Sequence, residues 1–566
     1  MHEPSNQNNS GSDPSFSTTD SENQEVDESL IKRVFQIFAF LALAIVVLTL
    51  VLIFYPDDDV GELLASPQAS DSDYDDLSVK AQRLQKFPRL SYPTNFRVMP
   101  LSPELSSDNG IEQTETMTFS GGLSLVHTTA SRPEIVSISH WPEGRLRRWI
   151  LEDNALKEMR LAIQNGGKLT GWISVAAIDV NADGVEDLLT GGLGVIGCWL
   201  RDIETQSFIW QPDSCGLIVD GDSWVSSIEI MDVNQDGRSD VWLNLMTRRE
   251  SRWLGKPNHL WIFDTDGFVD GTMFLNSEIP SRASYASSLY DLDADGVSEL
   301  IVANLDAPIE IWRQIPGQPL VESREFFGVE SDPSTHGRIL TGTISGNPNL
   351  SYFSGTQLKS YSFAQHAKGV PVSNFVLNGQ WLARYADHWT WWDYDLDGQQ
   401  DLLVGRYSCE PDPPNEGCSA RVLLRAEPQS GALFHHYSSL KFQDVESFGT
   451  TLRWDLDHDG DEDFLVMRSD GELEVHENTS NLGNRWLGLS FGPRWQGARL
   501  EVHRSDGEVY REVLQSSNGG GMNQGLWRRF GLSDGRFISR IALTHPLFDK
   551  IDRVGAQPLD SWLRFE

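Results

Sequence analysis

The stretch WWDYDLDGQQDLLVG, from Trp391 to Gly405, crowds four carboxylates around one glycine and then ends in an apolar run. The carboxylates belong to Asp393, Asp395, Asp397 and Asp401. Like charges at this spacing repel one another unless they are solvated or share a cation. A single copy is equally well explained as a polar turn between two strands, because Asp and Gly are common turn residues. The number of copies in the chain therefore decides between the two explanations.

Four further stretches repeat the pattern D-x-[DN]-x-D-G-x-x-[DE] followed by apolar residues. They are DVNADGVEDLL from Asp179, DVNQDGRSDVWL from Asp232, DLDADGVSELIV from Asp291 and DLDHDGDEDFLV from Asp455. A solvated turn does not require an oxygen-bearing side chain at positions 1, 3, 5 and 9 of every copy. Calcium does, because it takes about six to eight oxygen ligands, and a glycine permits the sharp turn that directs them inward. The repeats therefore predict calcium-binding loops.

An EF-hand shares the first part of this pattern, but it requires a bidentate Glu at position 12 and a helix on each side. Position 12 carries no carboxylate in any copy. It is occupied by Thr190, Leu243, Val302, Val404 and Val466. The flanking segments, such as WISVAAIDV and DLLTGGLGV, are short, β-branched and bounded by glycine, which predicts strands. Each loop is therefore expected to close at position 9, between two strands.

The spacing of the loops predicts a repeat architecture. Successive loops start 53, 59, 102 and 62 residues apart. The gap of 102 has room for two units, and LTGTISGNPNLSYFSG from Leu340 keeps the apolar rhythm without the acids. The segment LSLVHTTASRPEIVSIS around His127 does the same. Units of about 50 to 60 residues with short strands predict an all-β, seven-bladed β-propeller over residues 112–481, with a linear solenoid as the structural alternative.

The acidic loops resemble the FG-GAP/VCBS repeat, the calcium-loop blade of integrin α-chain heads and of many secreted bacterial proteins. The resemblance covers five units clearly and two weakly, and it implies about five structural Ca²⁺ ions. It also implies ligation by the side chains at positions 1, 3, 5 and 9 and by the main-chain carbonyl at position 7. These positions are Asp179, Asn181, Asp183, Val185 and Asp187; Asp232, Asn234, Asp236, Arg238 and Asp240; Asp291, Asp293, Asp295, Val297 and Glu299; Asp393, Asp395, Asp397, Gln399 and Asp401; and Asp455, Asp457, Asp459, Asp461 and Asp463. Glu299 departs from the usual Asp, and the two acid-free units are expected to hold no ion.

The repeat stops after residue 481, and alternating apolar and polar residues with glycine-rich turns predict a small β domain over 484–566. This domain resembles ASPIC/UnbV, which often follows FG-GAP repeats in bacterial proteins and in the cartilage acidic protein family. The resemblance rests on Asn484–Gly488, Gly497–Arg499 and Phe530–Leu532, and it fails at Thr544–Leu547, where the usual closing W-P-x-G is replaced. From residue 484 onward the charge is +3, against −40 for the rest of the chain. The domain is therefore expected either to dock on an acidic neighbour, such as the body of the same chain, or to expose an ordinary solvated surface.

The N-terminal region predicts the compartment. Val34–Tyr55 is a run of 22 residues without a charge, and at about 1.5 Å per residue a helix of this length crosses the hydrocarbon core of a bilayer. A cleavable signal peptide, the alternative, has a shorter apolar region and a basic start. Residues 1–33 are acidic and Ser/Asn-rich, which predicts a disordered tail. Lys32 and Arg33 precede the span and Asp57–Asp59 follow it, so the N-terminus is expected in the cytoplasm and the bulk of the chain outside it.

Residues 56–111 are expected to form a spacer, with a strand near NFRVMPL that closes the ring against the last blade. The four cysteines form two local pairs, Cys198 with Cys215 and Cys409 with Cys418, which predict two disulfides in an oxidising compartment. A single four-cysteine zinc site is the alternative, but the pairs fall in different repeats and lack C-x-x-C spacing.

No catalytic motif was identified, and the histidines that stand out, His388, His435 and His436, are isolated from such motifs. The aromatic run Trp389, Trp391 and Trp392 is explained either by packing between sheets or by a platform for a sugar. The net charge of −37 argues against a nucleic-acid partner. The sequence therefore favours a membrane-anchored, extracytoplasmic calcium-binding module for binding, adhesion or scaffolding, with a protein or glycan as the partner. The alternative is a polysaccharide-active enzyme of the lyase or dehydratase type.

Overall fold

The computed structural model describes residues 96–98 and, with gaps, 122–565; the largest gaps are 372–387 and 406–418. The regular elements of these residues are strands and a few short 3-10 turns, so the all-β prediction is confirmed. None of the helical turns in these ranges is long and apolar enough to cross a membrane. The predicted tail at 1–33, the predicted span Val34–Tyr55 and most of the spacer lie outside the described residues.

Antiparallel sheets follow one another along the chain as far as residue 478. The first strand is β1 (Phe96–Val98), and the next sheet contains β2 (Leu123–Val126), β3 (Glu134–Ile138), β4 (Leu146–Glu152) and β5 (Ala155–Met159). It is followed by β6 (Ile163–Gln164), β7 (Trp172–Ile178), β8 (Asp187–Gly192), β9 (Ile196–Asp202) and β10 (Ser207–Gln211), then by β11 (Trp224–Met231), β12 (Asp240–Arg249), β13 (Arg252–Gly255), β14 (His259–Asp264) and β15 (Gly267–Asp270).

The remaining sheets of this region have four strands each. They are β16 (Ser284–Tyr290), β17 (Glu299–Asn304), β18 (Glu310–Arg313) and β19 (Val321–Glu322); β20 (Ile339–Ile344), β21 (Asn347–Ser354), β22 (Gln357–Ser362) and β23 (Val370–Pro371); β24 (His388–Trp392), β25 (Asp401–Gly405), β26 (Ser419–Arg425) and β27 (Phe434–Lys441); and β28 (Phe448–Trp454), β29 (Asp463–Arg468) and β30 (Leu473–Asn478), to which β1 adds.

The sheets pack face to face in sequence order. All seven residues of β7 are buried, because this sheet is covered on both sides. Trp172 and Leu188 share one apolar cluster with the preceding sheet, whereas Ala176 and Leu189 share another with the following sheet. The first strands of neighbouring sheets also contact each other, as β7 does with β11 and β11 with β16. This succession of antiparallel sheets is the architecture of a β-propeller.

The two acid-free units fold as the others do. The unit around His127 forms β2 to β5, and the unit from Leu340 forms β20 to β23. The strand expected near NFRVMPL is β1, which pairs antiparallel with β30 from Phe96 opposite Asn478 to Val98 opposite His476. Residues 96–98 of the predicted spacer therefore form an edge strand of the last sheet of the repeat region.

The disulfide prediction is confirmed for one pair. Cys198, on β9, is bonded to Cys215 in the turn after β10, with the two Cα atoms 5.9 Å apart. Cys409 and Cys418 lie within a gap of the described residues.

Residues from 484 onward form a separate pair of small sheets. Their strands are β31 (Arg485–Phe491), β32 (Arg499–Arg504), β33 (Val509–Val513), β34 (Met522–Asn523), β35 (Trp527–Leu532), β36 (Ile538–Thr544), β37 (Ile551–Val554) and β38 (Trp562–Phe565). Leu487, Trp495 and Leu543 belong to an apolar core of their own. The exception is β34, which leaves the domain and pairs in parallel with β2. The C-terminal domain is therefore all-β, and its backbone is attached to the first propeller sheet.

Candidate functional site

The five acidic segments lie at equivalent places in the fold. Each connects the first strand of a sheet to the second, and we name them the first (179–187), second (232–240), third (291–299), fourth (393–401) and fifth (455–463) loops. Strands flank every loop, so the strand prediction is confirmed and the helices of an EF-hand are absent from these flanks. Of the fourth loop, the structure describes Asp393, Leu396, Gln400 and Asp401; Asp395, Asp397 and Gln399 lie outside it.

The position 1 carboxylate organises the turn in the first three loops. Asp232 accepts hydrogen bonds from the backbone N–H groups of Asp236 (3.1 Å) and Gly237 (2.9 Å). The same bonds reach Asp179 and Asp291. Because side-chain oxygens satisfy these amides, the backbone wraps around the carboxylates. The carboxylates are thereby held on the inside of the turn.

The position 9 carboxylate, at the start of the second strand, joins the loop to the third strand of its sheet. In the fifth loop, Asp463 accepts from the N–H of Leu456 at position 2 (2.7 Å) and from the N–H of Asn478 on β30 (2.8 Å). Asp187 and Asp240 make the equivalent pair of bonds. The sequence identified position 9 as a ligand position only, and its structural role requires the register between the second and third strands.

All five loops share one backbone feature that the sequence did not predict. The residue at position 4 has a positive φ in each loop, between 56° and 65°. These residues are Ala182, Gln235, Ala294, Leu396 and His458. None of them is glycine or asparagine, so each left-handed residue carries a conformational cost. A strained conformation that recurs at one position of every loop shows that the five loops share one backbone geometry.

The fifth loop has the features of a cation site. Asp455, Asp457 and Asp463 each offer a carboxylate oxygen, and these atoms lie within 4.8 Å of one another. Asp455 is only 1% exposed, and neither of its carboxylate oxygens accepts a hydrogen bond of normal geometry, although the Trp562 indole and the Arg529 guanidinium lie near enough to favour its charge. A buried carboxylate with so few donors is unfavourable, and a bound cation would relieve that cost. The donor set is entirely oxygen, so the residues fit a hard divalent cation such as calcium.

The electrostatics of the loops support the same interpretation. Burial, with the neighbouring carboxylates as a further cause, raises the pKa of Asp455 to about 7 and that of Asp461 to about 9. Burial likewise raises the pKa of Asp187 to about 8 and that of Asp240 to about 7. Without a cation, these groups therefore resist carrying their full negative charge near neutral pH.

The third loop combines a second carboxylate cluster with an arginine from the neighbouring strand β18. Asp291, Asp293 and Glu299 form another cluster with oxygens within 4.8 Å. Here Nη2 of Arg313 donates to Oδ2 of Asp293 at 2.7 Å and to Oδ2 of Asp295 at 3.2 Å. Part of the negative charge of this loop is thus already balanced by a side chain of β18.

The C-terminal domain packs on the third, fourth and fifth loops. Arg529 donates to the carbonyl oxygens of Gly460 (2.6 Å) and Asp393 (3.2 Å) and lies 3.5 Å from a carboxylate oxygen of Glu462. Of the two outcomes expected for the basic domain, docking on the acidic body of the same chain is therefore the one observed.

Three glycines allow the C-terminal domain and the acidic loops to approach each other closely. The indole of Trp486 lies against Gly460, the guanidinium of Arg499 against Gly296, and Gly531 against Asp393, so a larger residue at any of these glycines would clash. Trp486, Arg499 and Gly531 are the residues of the three short C-terminal segments on which the ASPIC/UnbV resemblance rests. These segments, together with Arg529, therefore contact the acidic loops.

Two tryptophans of β24, the strand before the fourth loop, pack between sheets. Trp391 lies against Gly342 of β20, and the ring of Trp392 lies 6.3 Å from that of Phe464 on β29. Both indoles are buried, at 6% and 0% exposure. The packing explanation is therefore confirmed for these two residues, whereas nothing is described for the side chains of His388, Trp389, His435 and His436.

No family model matches the chain, and no curated protein matches it. Among solved structures, a lectin from Agrocybe aegerita that recognises non-reducing terminal N-acetylglucosamine is similar over 64% of this chain and 91% of its own, at 13% identity and a TM-score of 0.38. BBS1N in complex with ARL6DN is similar over 65% of this chain and 98% of its own, at 12% identity and a TM-score of 0.35. These TM-scores are low, so the architecture described above rests on the strand pairing of this chain.

Proposed function

We propose that the chain is a membrane-anchored, extracytoplasmic β-propeller of the FG-GAP/VCBS type, stabilised by calcium and closed on one face by an ASPIC/UnbV-like domain. In this proposal it serves as a binding, adhesion or scaffold module. The observation that carries the proposal is the fifth loop, where the buried carboxylate of Asp455 accepts no hydrogen bond of normal geometry and lies beside two further carboxylates. A bound ion would supply the positive charge that these groups need.

Seven blades are supported by the contacts between first strands. These contacts run from β2 through β7, β11, β16, β20, β24 and β28, and β28 in turn contacts β2. The pairing of β1 with β30 supports closure, because it adds an N-terminal strand to the last sheet. A closed ring removes most free sheet edges, which suits a rigid scaffold that presents loops.

The extracytoplasmic location is supported by the uncharged segment Val34–Tyr55 with basic residues on its N-terminal side. The disulfide between Cys198 and Cys215 supports an oxidising compartment. We expect a protease added to intact cells to degrade the region after residue 56 and to spare residues 1–33. Protection of the whole chain would contradict this topology.

Calcium binding is tested with the full-length protein in detergent, by counting bound ions and by thermal unfolding with calcium and with a chelator. An ion that binds only the folded state stabilises it by about 4 kcal/mol per site at a thousandfold excess over Kd, so the chelator should lower Tm strongly. Asp455→Asn should bind one ion fewer than the unaltered protein. Asp264→Asn, which changes an exposed acidic turn outside the loops, is the matched control and should bind the same number. An unchanged Tm with no bound ion would disprove the calcium proposal.

Incubating the protein with a polyuronate polysaccharide distinguishes the enzyme hypothesis from the binding-module hypothesis. A lyase would release unsaturated sugar ends, which absorb in the ultraviolet. A binding module would leave every polysaccharide chain intact, whether or not it retains the polymer. Trp391 and Trp392 pack between sheets, so these two residues lend no support to a sugar platform.

A further inference from the structure

We propose that Arg313 is a built-in cation of the third loop that competes with calcium, so that this loop remains free of calcium at concentrations that fill the fifth loop. The inference rests on the proposed calcium function, and it distinguishes one loop from the others that share its sequence pattern. It assigns the role of the ion in the third loop to a side chain from the neighbouring strand, β18.

The guanidinium occupies the oxygens that an ion would need. At position 3, Oδ1 of Asp293 accepts from a backbone N–H, and at position 5, Oδ1 of Asp295 does the same. The remaining oxygen of each carboxylate, Oδ2, is the one that accepts from Nη2 of Arg313. At position 9, Oε2 of Glu299 accepts from Leu292, and the other oxygen, Oε1, lies 3.9 Å from Nε of Arg313. Arg313 thus faces the oxygens at positions 3, 5 and 9 that the backbone leaves available.

The register of the sheets shows that this arginine is specific to the third loop. In each sheet, the residue after position 9 is paired with a residue of the third strand, and the next residue of that strand is the equivalent of Arg313. The equivalents beside the first, second, fourth and fifth loops are Leu200, Ile262, Leu424 and Glu477. None of them is a cation, so the other four loops have no guanidinium from this position.

The surroundings of Arg313 hold it in place. Its guanidinium lies over the ring of Phe326, 4.6 Å from the ring centre, and its side chain is 21% exposed. The side chain of Glu299 is fully buried, and a buried carboxylate requires a nearby positive charge. An entering calcium ion must therefore displace a side chain that is already stacked and hydrogen-bonded, which weakens its apparent affinity.

The test compares the full-length protein in detergent with Arg313→Leu, which installs the residue found at the same place beside the first loop. Bound calcium is counted by flow dialysis over a range of free calcium concentrations. We expect Arg313→Leu to bind one more ion than the unaltered protein, or to fill one site at a calcium concentration at least about tenfold lower. Arg324→Leu is the control, because the guanidinium of Arg324 donates to the carbonyl of Val329 in its own segment; it should leave the count unchanged.

Two further measurements connect the added ion to the third loop. Adding Glu299→Gln to Arg313→Leu should abolish the additional ion. In chelator, Arg313→Leu should unfold at a lower temperature than the unaltered protein, because Asp293 and Asp295 lose the guanidinium that donates to them, and millimolar calcium should close that difference. Equal ion counts and affinities in the two proteins would overturn the role of Arg313 while leaving the proposed function intact. If neither protein bound calcium, both proposals would fail.

Discussion

At the scale of single residues, the loop carboxylates separate into two kinds. Asp463 accepts from the backbone N–H of Leu456 in the loop and from that of Asn478 on β30, whereas Asp457 accepts from the N–H of Asp459 within the loop. We expect Asp463→Ala to orphan two buried amides and to lower the free energy of unfolding by about 2–5 kcal/mol, even in chelator. Asp457→Ala should lower stability mainly when calcium is present. Chemical denaturation of both variants with and without calcium measures the difference.

The outcome for Asp463→Asn refines this assignment. The amide oxygen of Asn can replace one acceptor but not both, so we expect an intermediate loss of stability in chelator. If Asp463→Ala and Asp457→Ala lost stability only in calcium, position 9 would be a ligand without the structural role assigned to it here.

A buried ion cluster between the first two sheets predicts a dependence on pH. Glu134 on β3 receives hydrogen bonds from Arg148 (2.7 Å) and from Arg201 of the next sheet (2.8 Å). Burial alone would raise the pKa of Glu134, but the hydrogen bonds and charges of the two arginines hold that pKa below its ordinary value. The folded state therefore binds this proton less readily than the unfolded state. The contribution of Glu134 to stability is complete above the ordinary carboxyl pKa and is lost as pH falls through the lowered value.

We expect Glu134→Gln to lower the free energy of unfolding at neutral pH by about 3–5 kcal/mol, because two buried arginines lose their shared carboxylate. The loss should shrink as the pH falls below about 4, where the unaltered protein also loses the charge. Urea denaturation between pH 3 and pH 7 checks this, with calcium held constant. A loss that is the same at every pH would show that the charge of Glu134 is not the cause.

At the scale of the elements, each loop concentrates its backbone strain at position 4, where a residue other than glycine has a positive φ. Ala182 has φ 56° at position 4 of the first loop, and an alanine in this region is less favourable than a glycine. We expect Ala182→Gly to raise the free energy of unfolding by about 0.5–1 kcal/mol. Ala176→Gly, in the buried strand β7, is the control and should lower it. A destabilising Ala182→Gly would mean that the methyl group makes a contact worth more than the strain.

The strands could be predicted because β-branched, apolar runs bounded by glycine recur on both sides of each loop. The backbone within the loops could not. Ala, Gln, Leu and His have no shared preference for positive φ, so the conformation at position 4 comes from the hydrogen bonds of the acidic side chains around it. For the same reason the structural role of Asp463 could not be predicted, since it requires Asn478 to be brought beside the loop by the pairing of β29 with β30.

At the scale of the whole molecule, charge asymmetry indicated that the C-terminal domain had an acidic neighbour but not which surface it used. The docking surface is built from residues that are distant in sequence. Arg529 contacts Gly460 and Asp393, which are 69 and 136 residues away along the chain. The proposed role of Arg313 could not be predicted from the sequence either, because no sequence motif links Arg313 to the third loop. Strand register places Arg313 against the third loop, and packing of the C-terminal domain places Arg529 against the fourth and fifth loops.

The docking of the C-terminal domain depends strongly on Arg529, whose side chain is 4% exposed and contacts both the fourth and the fifth loops. We expect Arg529→Ala to weaken docking by about 2 kcal/mol, roughly thirtyfold in the opening equilibrium, because two carbonyl acceptors lose their donor. Amide hydrogen exchange in residues 455–463 should then become faster in the variant. Arg511→Ala is the matched control: Arg511 pairs with Glu501 inside the C-terminal domain and is half-exposed, so the exchange of the fifth loop should not change. Equal exchange in Arg529→Ala and Arg511→Ala would show that the aromatic contacts of Trp486 and its neighbours hold the domain without this arginine.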